Sequence, residues 1–190
     1  MKKYELTTET LQFAGRTLHR IKALRDFGSV KEGQFGGWIE NEKNLSQDDN
    51  AWIYGEATAF DNAKVFGNAN VFGNARVYDD AKVYDKANVY NNANVFDYAE
   101  AYGNVRIYGK ATIKGDAKVH DDADYIVFKN FWSSGRYFTW TRSNNKWSVG
   151  CFYGTGEELI NKAYNDSEKS GREYERVVRY VESILADERK

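Results

Sequence analysis

Between Ala51 and Asp122 the apolar and polar positions recur every six residues, a period that fits neither a helix nor a plain strand. Alanine marks the phase. It opens every hexad from Ala51 to Ala117 except the one that begins at Val105. Two places on comes a second small or branched aliphatic residue, as in Val65, Val71, Val77, Val83, Val89 and Val95. The next place is aromatic until Lys114 and His120 break the series. The last two places are mostly Gly, Asp, Asn or Lys. Twelve such units follow one another without an insertion.

Two residues that are two apart share one face of an extended segment, so the alanine and the valine point inward together. The residue between them and the aromatic point outward. Gly, Asp and Asn tolerate left-handed backbone angles and turn the chain at the end of each hexad. The pattern therefore predicts a short strand and a corner, repeated, which on stacking builds a β-helix with a narrow aliphatic interior.

The "VFGNAR" and "VYDKAN" units resemble the hexapeptide repeat of left-handed β-helix proteins. The resemblance implies a mainly β chain built on a single-stranded left-handed β-helix, the trimeric LpxA-like hexapeptide solenoid, with three hexads to each triangular coil of 18 residues. Twelve units then give about four coils, and ~4.8 Å between stacked strands makes the prism roughly 20 Å tall.

A coil of three hexads stacks every third unit, which predicts three aromatic columns. Tyr54, Phe72, Tyr90 and Tyr108 form one; Phe60, Tyr78 and Phe96, followed by Lys114, form the second; Phe66, Tyr84 and Tyr102, followed by His120, form the third. Ten outward aromatics are more apolar surface than a small monomer usually shows. They are expected to face another subunit, the rest of the chain, or a partner. The resemblance favours a homotrimer.

Residues 1–50 do not repeat. They read as two strands joined at Ala14-Gly15, then glycine-marked turns, with Ile39 and Leu45 spaced as if an imperfect coil begins there. The segment is expected to cap the solenoid of residues 51–124. Residues 125–190 change character. "YIVFKNF", "GRYFTWTR" and "WSVGCFY" read as three short strands. Thr155, with Glu158 three places on, opens a helix by a capping box, and "SGRE" from Ser170 repeats that signal before a second helix. The second helix carries Tyr174, Val177, Val178, Val181, Ile184 and Leu185 on one face. A small α+β module is expected.

The composition fits this picture. There are no prolines in 190 residues, and proline would remove a donor from a long backbone ladder. The net charge of −1, from 27 basic and 28 acidic residues, excludes binding of bulk nucleic acid or a membrane surface through overall charge. One cysteine, Cys151, excludes an intrachain disulfide and a cysteine-built zinc site, and fits a reducing cytoplasm. The N-terminal stretch lacks a signal-peptide core, and no run approaches the ~20 apolar residues of a membrane span.

Candidate chemistry is thin. His120 is the one residue of the repeat suited to a general base, as in the acyltransferases that resemble this fold, which would use an acyl-CoA donor. No loop interrupts the coils beside it, so a surface histidine at the end of a ladder is the plainer reading. Asp79-Asp80 and Asp121-Asp122 read as turn formers rather than metal ligands, and "GCFYGTGEE" lacks the lysine and serine of a phosphate loop. No metal and no cofactor is expected. Alternation along "GRYFTWTR" places Arg136, Phe138, Trp140 and Arg142 on one strand face near Trp147. Arginine beside tryptophan can hold a phosphate while a ring stacks, so a small nucleotide-like ligand, if the chain takes one, is expected there; a packed core with two edge arginines is the plainer reading.

The "A-x-V-[FY]-[GD]-N" units and the "GCFYGT" tail further resemble uncharacterised YdcK-like hexapeptide-repeat proteins and repeat proteins of phages and prophages. That resemblance implies the fold and a phage-type origin; the thin chemistry and the outward aromatics point to a non-enzymatic, oligomeric binding or scaffold protein, acting in the host cytoplasm if phage-encoded. Its possible roles include a counter-defence factor that sequesters a host protein or nucleotide signal. A hexapeptide acyltransferase and a structural accessory protein of the virion are the alternatives.

Overall fold

The structure is a computed structural model and describes residues 2–188. It divides into two compact units between Asp124 and Tyr125.

The first unit opens with two antiparallel strands, β1 (Tyr4–Phe13) and β2 (Arg16–Ala23), turned at Ala14-Gly15 with both residues at positive φ. A third strand, β3 (Phe35–Ile39), pairs with β2 on one side and with the repeat on the other. The hexads then form twelve two-residue strands, β4 (Trp52–Ile53) through β15 (Lys118–Val119). Each pairs in parallel with the strand three hexads away, as in Val71 with Val89 and Val89 with Ile107. Backbone bonds such as Asn70 N to Ala87 O and Phe72 N to Val89 O, both 2.9 Å, run the ladder from coil to coil.

The expected phase holds throughout. Every phase-marking alanine and its aliphatic partner lie inside, at 0–1% exposure. The first corner residue of eleven consecutive hexads, from Gly55 to Gly115, has φ between 55° and 71°. Only Gly, Asp and Asn occupy these places, because a left-handed backbone disfavours other side chains. The corner aspartates also bind the coil above: Asp85 accepts from Gly103 N at 3.2 Å, and Asp97 from Gly115 N at 3.0 Å. The turn-forming reading of these residues thus has a second physical cause, satisfaction of the next corner's amide.

The solenoid has about five turns rather than four, because the coil that Ile39 and Leu45 begin is real. Ile39 pairs with Ala59, and Leu45 bridges to Val65. Where no coil lies below, two buried side chains supply the missing donors. Lys3 Nζ donates to Asp49 O and Ala51 O at 3.1 and 2.9 Å. Asn44 Nδ2 donates to Asp61 O and Ala63 O, both at 3.0 Å. The two pairs occupy the same hexad positions, two units apart. Each imitates the two backbone amides, such as Asn68 N and Asn70 N, that a full coil would present to the coil above. Burial pushes the Lys3 ammonium down to about 8, against the pull of Asp49.

The second unit is a four-stranded antiparallel sheet, β16 (Tyr125–Lys129), β17 (Tyr137–Thr141), β18 (Lys146–Val149) and β19 (Phe152–Gly154), followed by α1 (Gly156–Asp166) and α2 (Glu168–Asp187). The α+β module is as expected, with two local differences. "WSVGCFY" is not one strand. Gly150 takes φ +58° and the stretch folds back as a hairpin. The second helix begins before "SGRE": its N-cap is Ser167, whose hydroxyl accepts from Ser170 N at 3.1 Å. Gly171 lies inside the helix because it faces Tyr164, whose ring would stand 2.2 Å from an added Cβ. Thr155 and Glu158 form the reciprocal capping box. No helix among the described residues is long and apolar enough to cross a membrane.

Candidate functional site

From Phe60, Phe66 and Phe72 onward the three columns are continuous stacks. Phe72–Tyr90 and Tyr90–Tyr108 have centroid separations of 4.8 and 5.4 Å, and Phe66–Tyr84 and Tyr84–Tyr102 of 4.9 and 5.1 Å. Phe60–Tyr78 and Tyr78–Phe96 stack at 5.1 and 4.6 Å, with Lys114 Nζ 5.3 Å from the Phe96 ring. The columns differ in cover. The β1–β2 hairpin lays Phe13 edge-on against Phe60 and packs Leu11 and Leu18 beside it, so Phe60 is buried. Tyr78 and Phe96 of that column are half-exposed, as are the rings of the other two columns, Tyr54 included, and Tyr108 is 50% exposed.

Packing weakens the acidity of two ladder tyrosines. Burial, with Asp79 and Asp97 adding to it, pushes the Tyr78 phenol up to about 12. Burial and the hydrogen bond to Glu100 do the same for Tyr84, also to about 12. An unfolded tyrosine ionises near ~10. Between these values the unfolded chain loses protons that the folded chain keeps, so their contribution, full below pH 10, is lost as pH rises toward 12. Denaturant midpoints measured from pH 9 upward should fall across this window, in step with a delayed tyrosinate absorbance in the folded protein.

His120 ends the third column, edge-on to Tyr102 at 5.1 Å. Its Nδ1 lies 2.7 Å from an Asp121 carboxylate oxygen, and its Nε2 makes no hydrogen bond among the described residues. The ring fills the space over Gly103, where an added Cβ would stand 2.6 Å from Cδ2. Gly103 is therefore required twice, for its φ of +65° and for the histidine above it.

The ligand face expected on β17 is instead core. Phe138, Trp140 and Trp147 are 0%, 1% and 2% exposed and pack with Val149, Tyr174 and Val178. They face the helices, so no ring is left to stack on a ligand. Arg136 and Arg142 flank the strand. Arg142 is engaged by both carboxylate oxygens of Glu188, at 2.7 and 3.2 Å, beside a cavity of about 370 Å³ that the edge of Trp140 reaches. Alternation places arginine and tryptophan on one face but does not tell which side the helices cover, and the packed core with two edge arginines is what the structure shows.

A different cavity in this unit, of about 490 Å³, is lined by Phe128, Trp132, Val177 and Tyr180, with Lys129 and Arg176 beside them. Phe131, Trp132 and Tyr180 are 70%, 66% and 55% exposed. The loop that carries the first two is held by Asn130, whose Oδ1 accepts from Trp132 N and Ser133 N at 3.0 Å. Arg176 pairs with Glu173, whereas Lys129 meets no carboxylate among the described residues and lies over the Phe131 ring at 4.7 Å. This aromatic rim escaped the sequence reading, although two adjacent aromatics beside the Ser-Ser-Gly turn could have marked it.

No family model matches the chain. Over 69 residues, 32% of the chain, it is 39% identical to "Uncharacterized acetyltransferase YdcK" of Escherichia coli (strain K12). Parallel ladders three hexads apart, with alanine and valine inside, join that likeness. The chain is a hexapeptide-repeat β-helix protein. The match spans about a fifth of the relative's length, 21%. The β-helix is the part that sequence and structure both describe.

Proposed function

We propose that this β-helix protein is a non-enzymatic, oligomeric binding protein. The observation that carries the reading is the pair of aromatic columns, Phe72 to Tyr108 and Phe66 to Tyr102, that keep half-exposed rings along the length of the prism. Apolar surface repeated at each coil suits a long flat contact with another copy, and a trimer closes such a contact. In the second unit the cavity between Trp132 and Tyr180 receives an apolar side chain of a protein partner, with Lys129 beside it for an acidic neighbour. The proposal extends to sequestration of a host protein, the role that a phage origin would suggest.

A second reading, acyl transfer, is favoured by one arrangement. With Asp121 on Nδ1, His120 would offer Nε2 to the hydroxyl or amine of an acceptor, and the E. coli relative is named as an acetyltransferase. Calorimetry with acetyl-CoA separates the two. The binding reading predicts no saturable heat with the wild-type chain; saturable binding and acyl transfer abolished by His120→Asn would replace it with the enzyme reading.

A further inference from the structure

The repeat supplies its own background against which an exception stands out. The last place of the twelve hexads is Asn five times and otherwise Asp, Lys or Glu, with one aromatic, Tyr98. Its ring is 71% exposed, and it makes neither a ring contact nor a side-chain hydrogen bond among the described residues. Nothing in the fold calls for it, since its backbone bond to Gly115 O needs no particular side chain.

A second exception lies beside it. The outward strand places on the three faces are Trp52, Asn70, Asn88 and Arg106 on one, and Thr58, Arg76, Asn94 and Thr112 on another. On the third they are Lys64, Lys82, Glu100 and Lys118, the one face charged in every coil. The two exceptions meet at one edge of the prism, around a cavity of about 560 Å³ that Tyr98, Lys64, Lys82 and Lys43 line together. Lys82 is engaged with Glu100, which also accepts from the Tyr84 hydroxyl. Asp80 is engaged by Asn62 Nδ2 at 3.2 Å. The ammonium groups of Lys43 and Lys64 have no carboxylate within ion-pair distance among the described residues. Both carboxylates of the cavity thus have partners, while two cations and one flat ring do not.

We propose that this edge cavity binds a small phosphorylated ring compound. The phosphoryl group lies between Lys43 and Lys64, and the ring lies on Tyr98. A nucleotide and a sugar phosphate share that chemistry, and the volume accommodates either. The site is on the solenoid, so it is independent of the aromatic rim of the second unit.

The test is calorimetric titration of the full chain with adenosine monophosphate, ribose 5-phosphate and inorganic phosphate. A nucleotide ligand predicts saturable binding of adenosine monophosphate over both others; a sugar phosphate predicts that ribose 5-phosphate binds at least as well. Tyr98→Asn installs the repeat's own commonest corner residue and leaves the coil intact. It should weaken the preferred probe about tenfold and leave inorganic phosphate unchanged. Lys64→Gln should weaken all three probes. Absence of saturable binding for every probe overturns the proposal, as does inorganic phosphate binding as tightly as the ring compounds, or an unchanged affinity in Tyr98→Asn and Lys64→Gln.

Discussion

Trp147→Ala will unfold the second unit and leave the β-helix folded. Trp147 is 2% exposed, stands edge-on to Phe138 at 6.5 Å, and packs between the sheet and the two helices. Removing a buried indole costs about 3–5 kcal/mol, because the lost contacts and the cavity both count. A unit of this size has little more than that in total, of order 5 kcal/mol. The helices belong to this unit alone, so the helical far-UV signal should collapse while protease resistance of residues 51–122 persists. A ligand-contacting tryptophan would behave differently, lowering affinity with little change in stability. Arg142→Ala is the matched control: it breaks only a surface pair with Glu188 and should shift stability by under ~1 kcal/mol.

The second large effect is expected at the open end of the first coil. Asn44→Ala removes the donors to Asp61 O and Ala63 O, and the acceptor of Asn41 N at 3.0 Å. Each buried polar group left without a partner costs about 1–3 kcal/mol, so the substitution should destabilise the β-helix by roughly 3 kcal/mol. Lys3→Met should act similarly on Asp49 O and Ala51 O, and the two effects should add, since the residues serve different edges. Asn74→Ala, at an exposed corner, should be nearly silent, within about 0.5 kcal/mol. Equal losses from Asn44→Ala and Asn74→Ala in urea unfolding would refute the capping role of Asn44.

Sequence and structure agree where one local rule repeats. The inward pair, the corner and the three columns follow from the period of six, because each hexad faces the same environment and twelve copies reinforce one phase. The capping box at Thr155 and Glu158 was legible for a like reason, since its partners lie three residues apart. What the pattern could not show was side chains acting at long range. Lys3 reads as a solvated lysine near the N-terminus, yet it substitutes for amides of a coil that is not there. Trp140 and Arg142 share a strand face, yet the helices that bury the tryptophan lie further along the chain. Ser170 carries a capping signature, yet Ser167 caps the helix, because Gly171 is needed where α2 meets Tyr164. Tyr98 and the lysines of the edge cavity went unread in the sequence, because single departures from a repeat carry no meaning until a cavity groups them on one edge.

In the proposed assembly the half-exposed columns hold copies of the chain together. Light scattering coupled to size exclusion tests it most directly. The chain is 21.8 kDa, and a trimer closed on the Tyr90 and Tyr84 columns predicts a single species at three times that mass, reduced to the monomer by Tyr90→Lys with the fold retained. A wild-type chain that runs as a stable monomer of 21.8 kDa at every concentration would contradict the claim.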